Sequence, residues 1–388
     1  MLKFDNLKVA FEDKSDKDLN RAYLLFKSLD NSIISYIITK LLKIAIWFRL
    51  PINNIIKSTV YKHFCGGTTI EDSQEAINRL WRFQIGTILD FSAEGKDKEE
   101  DFKKVMNETL ESIMKAKTEE SIPFSVFKPT GLVRFNLLEK INKGETLNNN
   151  ENIEKEMFEN RIEEICKSAS KNQVPLFIDA EESWIQDTID KIALKMMQKF
   201  NKKNVWIYNT IQLYRIDRID YLNIILEEAK KQNFKLGLKL VRGAYYELEN
   251  ERAKKMNYPS PVHKNKKDTD NDYNKALRFC IENINKISVC AGTHNEESSL
   301  LLSQLLKKHN ISVNDKRVYF SQLLGMSDHI SYNAAKNGFN VAKYVPYGPI
   351  KDLIPYLIRR AEENKSISGQ MNRELKNIIS EKNRRREN

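Results

Sequence analysis

Short apolar, β-branched runs alternate with longer stretches of helical periodicity from about residue 85 onward, and few folds accommodate such a pattern. The alternation is typical of βα units, which build parallel sheets. The predicted strands are Ile85–Phe91, Pro123–Phe127, Pro175–Ile178, Val205–Tyr208, Leu236–Val241, Ile287–Ala291, Arg317–Phe320 and Val341–Val345. The predicted helices include Trp184–Phe200, Asp217–Gln232, Asn295–His309 and Asp352–Asn364. Eight units in about 280 residues favour an α/β fold, a closed (βα)8 barrel, over an open sheet.

The barrel is predicted to occupy residues 81–370, between a helical region over 1–80 and a charged tail over 371–388 that we expect to be frayed. Within the helical region, Ile33–Phe48 is apolar on all sides. Lys40 and Lys43 interrupt it, and it is too short to span a bilayer. We therefore expect a helix packed against the barrel, with a stripe that faces lipid as the alternative.

Two polar, low-complexity stretches are predicted to be loops, Asn142–Asn152 and Asn257–Asp272. In a barrel the second of them would lie on the face that binds substrate or cofactor.

The charge balance favours acidic partners without selecting one of them. Lys and Arg total 64 and Asp and Glu total 53, which leaves a net charge of +11. A phosphate-bearing cofactor, an anionic substrate, nucleic acid and anionic lipid all remain compatible with this excess. With 41% hydrophobic residues, the composition excludes a disordered or collagen-like chain.

Cysteine usage and the N-terminus indicate a cytoplasmic setting. The four cysteines show no CxxC spacing, which disfavours a disulfide framework and a zinc site. The chain has only five histidines, and no second one lies near His294 in the sequence, which disfavours a metal site there. The first residues have no apolar signal core and are too acidic for a transit peptide. We therefore expect a cytoplasmic protein, with peripheral contact to the inner face of the cell membrane left open.

Polar residues close the predicted strands, and in a barrel the strand ends carry the chemistry. The set brings cations, carboxylates and amides to one rim: Asp90, Glu94, Lys128, Asp179, Glu181, Asn209, Gln212, Lys239, Arg242, Gly243, Thr293, His294, Gln322 and Tyr344. Arg359 and Arg360 follow the last strand on a predicted helix, and two guanidinium groups together suit a carboxylate. Neither GxGxxG nor GxxxxGK[ST] is present, which disfavours Rossmann and P-loop nucleotide binding.

Taken in order, these strand ends resemble those of proline dehydrogenases, including the proline dehydrogenase domain of proline utilisation A. The matching segments, over roughly residues 85 to 365, are Phe177–Glu182, Asn209–Tyr214, Lys239–Tyr245, Thr293–Asn295, Gln322–Met326, Lys343–Pro349 and Tyr356–Asn364. The resemblance implies a distorted barrel with a final helix over its mouth and non-covalent FAD. It also implies oxidation of L-proline to 1-pyrroline-5-carboxylate, with electrons passed to membrane quinone and no nucleic-acid partner. Because no aldehyde dehydrogenase segment is found, we expect a monofunctional enzyme.

The resemblance also implies roles for individual residues. Arg359, Arg360 and Lys128 would bind the substrate carboxylate, Glu94 would pair with the first arginine, and Asp179 would be the active-site aspartate. Tyr344 would pack against the proline ring, where branches that oxidise hydroxyproline carry a smaller residue. FAD would be held by Ala180, Gln212, Val241, Arg242, Gly243, Ala244, Thr293 and His294.

Lys239 departs from the pattern of many bacterial members, which carry arginine near the flavin. Members similar to the mitochondrial enzymes also have lysine at this position. Lysine keeps the charge without the planar fork of arginine, so it can still stabilise a reduced flavin.

Two alternatives remain at this stage. A flavin barrel of the methylenetetrahydrofolate reductase type gives no reason for the Arg359/Arg360 pair. A basic helical protein that binds RNA or anionic membrane would explain the net charge of +11 and the Arg384–Arg386 cluster. It would not explain the strand-end residues.

Overall fold

Eight parallel strands close into one barrel in chain order, β1 to β8, which confirms the predicted α/β barrel. The computed structural model describes residues 2–30, 57–92, 97–354, 356–358 and 370–387. The strands are β1 (Ile85–Phe91), β2 (Phe124–Phe127), β3 (Leu176–Ile178), β4 (Ile207–Gln212), β5 (Leu236–Val241), β6 (Ile287–Gly292), β7 (Val318–Leu323) and β8 (Val341–Tyr347). Strand β1 pairs with β8 along its whole length, from Ile85 opposite Val341 to Phe91 opposite Tyr347.

The predicted strand positions agree with the observed ones most closely where an apolar run is continuous. Strands β1 and β5 have the predicted bounds. Strand β4 begins two residues later than predicted and continues through Asn209 to Gln212. The prediction ended it too early because Asn209, Thr210 and Gln212 are polar and interrupt the apolar run. Strands β7 and β8 likewise extend past the predicted ends.

Helices alternate with the strands and cover the outside of the barrel. They are α1 (Leu7–Ala10), α2 (Asp16–Asp30), α3 (Lys62–Phe64), α4 (Gln74–Trp81), α5 (Glu99–Thr118), α6 (Phe135–Lys143), α7 (Asn149–Asn172), α8 (Ser183–Phe200), α9 (Arg218–Lys231), α10 (Tyr246–Met256), α11 (Lys266–Glu282), α12 (Glu296–Lys308), α13 (Asp328–Lys336) and α14 (Gln370–Arg386). A π-helical turn, Lys57–Tyr61, precedes α3. Residues 350–354 and 356–358 are also helical, at the start of the helix predicted after β8.

Both predicted loops are shorter than expected, because an asparagine in each is a helix cap. Asn148 begins α7 with a capping box, in which its side chain accepts from the Glu151 amide at 2.9 Å and the Glu151 carboxylate accepts from the Asn148 amide at 3.0 Å. Asn265 caps α11 without a capping box, and its side chain accepts from the Asp268 amide at 3.0 Å. Asparagine favours both turns and N-caps, so the polar runs did not distinguish between them.

The C-terminal residues form α14, which packs against α2, so the expectation of a frayed tail is wrong. Ile378 of α14 is buried in an apolar cluster that also contains Phe11. Arg385 donates to the main-chain oxygens of Phe11 and Lys14, each at 2.9 Å. These contacts join the two ends of the described chain on one side of the barrel. The apolar segment Ile33–Phe48 lies outside the described residues.

Aromatic rings fill the barrel below its mouth. Phe124 and Phe177 stack with their centroids 4.4 Å apart, and Tyr208 and Tyr319 meet Phe124 edge to face. This layer closes the barrel interior, so polar chemistry is confined to the strand ends above it. Across the described ranges, no helix combines the length and the apolar character that crossing a bilayer requires.

Candidate active site

A lysine, an aspartate and a tyrosine meet at the centre of the barrel mouth. Lys239 on β5 donates to the Asp179 carboxylate, which follows β3, and to the Tyr344 hydroxyl on β8 at 2.7 Å. The Tyr344 hydroxyl in turn donates to Asp179 Oδ1 at 2.9 Å. All three side chains are buried. Residues separated by 60 and 165 positions in the chain therefore form one hydrogen-bonded cluster, here called the central triad. The prediction that Lys239 and Tyr344 close their strands is wrong, because β5 continues to Val241 and β8 to Tyr347.

Aromatic rings and burial surround the central triad, and they keep the Tyr344 phenol protonated. The Lys239 ammonium lies 4.5 Å from the centroid of the Tyr344 ring and 5.1 Å from that of Phe177. Burial, with the nearby Asp179 charge, raises the pKa of Tyr344 well above its usual range. The phenol therefore stays protonated and acts as a donor to Asp179. The ion pair with Asp179 and the hydrogen bond to Tyr344 hold the Lys239 ammonium at a fixed place in a desolvated site, where a preorganised cation can act strongly on a developing negative charge.

A second carboxyl group lies beside the triad. Glu181 is buried, and its two oxygens accept from the Thr130 amide at 2.8 Å and the Thr130 hydroxyl at 2.6 Å. Burial raises the pKa of Glu181 to about 8, although the charge of Lys128 opposes the shift. Lys128 is half-buried at the end of β2 and precedes the 3₁₀ turn Pro129–Gly131. These contacts join the ends of β2 and β3.

The strand-end residues after β4, β5 and β6 form a second cluster, rich in hydrogen-bond donors. Gln212 donates to the Glu181 main-chain oxygen at 2.6 Å. Arg242 donates to Asp270 at 2.6 Å, to Ser298 at 2.9 Å and to the Thr293 hydroxyl. Its guanidinium lies 4.3 Å from the centroid of the Tyr273 ring. These contacts hold the Arg242 guanidinium in place. Together with the neighbouring hydroxyl, amide and imidazole groups, it provides the hydrogen-bonding groups that the phosphates and sugars of a dinucleotide require.

The other residues predicted to bind cofactor line the same rim. Ala180 is buried directly after Asp179, and Val241 ends β5 just before Arg242. Gly243 and Ala244 follow Arg242 in the turn that leads to α10. His294 lies 3.0 Å through Nδ1 from the Ser327 hydroxyl.

Gly243 adopts a backbone conformation that a side chain would not tolerate. Its φ is +127°, and a Cβ built there would lie 2.5 Å from the Tyr214 ring. We expect Gly243→Ala to destabilise the protein by about 2–4 kcal/mol, since backbone strain and overpacking add. Gly144 is a matched control, because its φ is +70° but a Cβ would meet nothing within 4 Å. Gly144→Ala should cost about 1–2 kcal/mol. If urea denaturation shows the same loss of stability in Gly243→Ala and Gly144→Ala, contact with the Tyr214 ring does not contribute to the cost at Gly243.

Three predicted substrate-binding residues, Glu94, Arg359 and Arg360, lie outside the described residues. Among the described ones, the structure brings Asp179, Lys239 and Tyr344 together and joins Arg242 to Thr293. For the part of the chain that is described, no group of three or more His, Cys, Asp or Glu side chains could hold a metal ion. The four cysteines are buried and form no disulfide.

Several supporting residues were missed by the sequence analysis. Asp270 lies in a stretch read as a loop, yet it is on α11 and orients Arg242. Glu249 of α10 is fully buried and accepts from the Ser183 amide at 2.7 Å and from the Tyr214 hydroxyl at 3.3 Å. The (i, i+4) spacing of Lys266 and Asp270 was a helical signal for the first. For Glu249 no local signal exists, because its partners come from other βα units.

Fold and site together define a (βα)8-barrel enzyme with a buried lysine–aspartate–tyrosine cluster beneath a donor-rich rim. A family model described as proline dehydrogenase matches residues 73–373. The chain belongs to the proline dehydrogenase family and is an oxidoreductase. This membership decides against the methylenetetrahydrofolate reductase type, and the barrel excludes a purely helical binding protein.

Individual relatives agree with this placement. The chain is 32% identical over 405 residues to proline dehydrogenase 1, mitochondrial, of Dictyostelium discoideum, covering 92% of this chain and 71% of the relative. It is 33% identical over 328 residues to carbapenem antibiotics biosynthesis protein CarD of Pectobacterium carotovorum, covering 84% and 85%. Among solved structures, proline utilization A of Bdellovibrio bacteriovorus, inactivated by N-propargylglycine, superposes with a TM-score of 0.73 at 18% identity. That likeness covers 94% of this chain and 38% of the other, and it supports the fold.

Proposed function

We propose that this chain oxidises L-proline to 1-pyrroline-5-carboxylate with non-covalently bound FAD and passes the electrons to a quinone. The observation that supports the proposal is the buried, hydrogen-bonded central triad in the interior of the barrel. When bound, FAD supplies the acceptor for the two electrons that leave the C–N bond of proline. The donor set of Gln212, Arg242, Thr293 and His294 fits its phosphate and hydroxyl groups.

The central triad would act on charge and orientation. Lys239 would keep a positive charge where electron uptake adds negative charge, and the buried setting strengthens that interaction. Asp179 would hold Lys239 and Tyr344 in place through its two hydrogen bonds. Glu94, Lys128, Arg359 and Arg360 are retained as the proposed substrate-binding residues, by position in the family pattern.

A purified sample tests the proposal directly. We expect a flavin absorption spectrum that bleaches on addition of L-proline, and proline-dependent reduction of a ubiquinone analogue or a dye. NAD⁺ should not be reduced, because no dinucleotide fingerprint is present. A purified protein that neither retains flavin nor binds added FAD would contradict the proposed function. Steady NADH formation by the pure protein would contradict it as well.

Tyr344 is proposed to exclude hydroxylated substrate. Its ring would lie against the proline ring, where an added hydroxyl would be crowded and poorly paired at a cost of about 1–3 kcal/mol, or 5- to 150-fold in kcat/KM. We expect the protein to prefer L-proline over trans-4-hydroxy-L-proline, and Tyr344→Ser to narrow that preference mainly by weakening proline. Steady-state kinetics on both substrates measure the ratio.

Tyr344→Phe separates the ring from the hydroxyl that binds Lys239 and Asp179. Because the ring is kept, this variant should still discriminate against hydroxyproline even if its rate falls. Unaltered selectivity in Tyr344→Ser would show that the residue does not shape the pocket.

For location, we propose a cytoplasmic enzyme that visits the inner face of the cell membrane to reach quinone. The Arg384–Arg386 cluster gives less support than its sequence suggested. Glu381 accepts from Arg384 and from Arg385, each at 2.7 Å, and Arg385 also pairs with Asp16 of α2 at 2.9 Å, so two of the three arginines are paired with two carboxylates of this protein. Salt-sensitive flotation with anionic vesicles, absent with neutral ones, would support membrane contact, and no binding at low salt would refute it.

A further inference from the structure

The loop after β7, residues 324–327, is held from three directions. His63 of α3 contacts the Gly325 main-chain oxygen at 2.8 Å. Lys343 of β8 donates to the Met326 main-chain oxygen at 2.6 Å. Glu374 of α14 accepts from the Ser327 amide at 2.7 Å. Elements from the N-terminal region, the barrel and the C-terminal helix therefore fix the position of one short loop.

Ser327 is the residue on which these contacts converge. It is fully buried and has a φ of +52°, a conformation that costs a non-glycine residue energy and persists only where its surroundings impose it. Its hydroxyl donates to Glu374 Oε1 at 3.3 Å and lies 3.0 Å from His294 Nδ1. The strained serine thus lies next to His294, a proposed cofactor contact.

The Ser327 hydroxyl connects Glu374 to His294. Glu374 Oε1 accepts from both the amide and the hydroxyl of Ser327, at 2.7 and 3.3 Å. The same hydroxyl lies within hydrogen-bond distance of His294 Nδ1. Because Glu374 fixes the position of this hydroxyl, it also constrains the orientation of the His294 imidazole.

We propose that Glu374 is a positioning residue for the cofactor site, acting through Ser327 to hold the His294 imidazole in the orientation in which it contacts the cofactor. This inference rests on the proposed function, since it assumes that FAD binds at this rim. It extends the cofactor site to α14, 80 residues beyond His294 in the chain.

Docking of α14 does not depend on Glu374. Ile378 is buried in the apolar cluster with Phe11. Arg385 adds its bonds to the main chain of residues 11 and 14 and to Asp16. A variant at Glu374 is therefore expected to fold with α14 in place.

The test compares Glu374→Ala and Ser327→Gly with Ile378→Ala as the matched control on the same helix. FAD affinity is measured by flavin fluorescence titration, and the stability of the FAD-free protein by urea denaturation. Glu374→Ala and Ser327→Gly should each raise the Kd for FAD about tenfold, since a hydrogen-bonded partner is lost. Glu374→Gln, which keeps an acceptor oxygen, should stay within about twofold. Ile378→Ala should lower stability and leave the Kd unchanged.

A double-mutant cycle isolates the route through the histidine. In a His294→Ala background, Glu374→Ala should cause no further loss of FAD affinity. If Glu374→Ala still raises the Kd for FAD about tenfold in the His294→Ala background, or if Ile378→Ala raises the Kd as much, Glu374 acts through the fold and the inference is overturned. Equal FAD affinity in wild type and Glu374→Ala would overturn it as well. A wild-type protein that binds no FAD would instead overturn the proposed function, and this inference with it.

Discussion

Lys239→Met is expected to lower kcat/KM for L-proline about a hundredfold or more, because a preorganised charge is removed from the reacting centre. It should also lower the free energy of unfolding by about 3–5 kcal/mol, since the Asp179 carboxylate remains buried without its cation. The Tyr344 hydroxyl loses its donor at the same time. Steady-state kinetics with a dye acceptor and urea denaturation measure the two effects separately.

Arg218→Met provides the control for the loss of a buried cation. Arg218 pairs with Asp190 at 2.6 Å, both are buried, and the pair lies among α8 and α9 outside the barrel interior. We expect a comparable loss of stability with kcat/KM largely retained in the folded fraction. A Lys239→Met variant that keeps its kcat/KM would remove the lysine from the active site.

Lys343→Met should cause a large loss of stability without removing a residue of the central triad. Lys343 is fully buried and donates to Asp328 Oδ1 and to the Met326 main-chain oxygen, each at 2.6 Å. Methionine fills a similar volume but leaves Asp328 with the more distant ammonium of Lys14, 3.3 Å away. Removing one partner of a buried pair costs about 3–5 kcal/mol. Lys336→Met, on the exposed side of α13, should change stability by less than about 0.5 kcal/mol.

The difference in free energy of unfolding between the wild type and Lys343→Met should depend on pH through Asp328. Burial would raise the pKa of Asp328, but the charges of Lys14 and Lys343 outweigh burial and hold that pKa well below its usual range. In the wild type, the resulting stabilisation is present above the ordinary aspartate pKa of about 4 and is lost only as the pH falls through the depressed folded value.

In Lys343→Met the pKa of Asp328 should rise, so protonation relieves the uncompensated charge. The stability gap between wild type and variant should therefore narrow as the pH falls from neutral toward about 4, in urea denaturation at each pH. A gap that is constant or widens over this range would mean that lost packing, and not the Asp328 charge, causes the destabilisation.

The candidate site could be predicted from the sequence as far as strand ends identify it. Asp179 directly follows the apolar run of β3, whereas Lys239 and Tyr344 lie inside the runs that form β5 and β8 and not at their ends. A closed parallel barrel nevertheless brings side chains from all of its strands together in its interior. Their mutual hydrogen bonds were not predictable, because these depend on which strand ends face each other across the closed barrel. Glu249 and Glu374 had no sequence signal, since each contacts the site's supporting residues from a helix elsewhere in the chain.

The sequence by itself determined the alternation of strands and helices, because hydrophobic period and helix propensity act over a few neighbouring residues. It determined even the bounds of β1 and β5. Only the tertiary structure decided what the polar residues do. Lys343 and Tyr344 are adjacent in β8, yet one pairs with Asp328 outside the barrel and the other with Asp179 inside it. The pleat sends neighbours to opposite faces, but the charge that meets each one is set by barrel closure and helix docking, which join residues far apart in the chain.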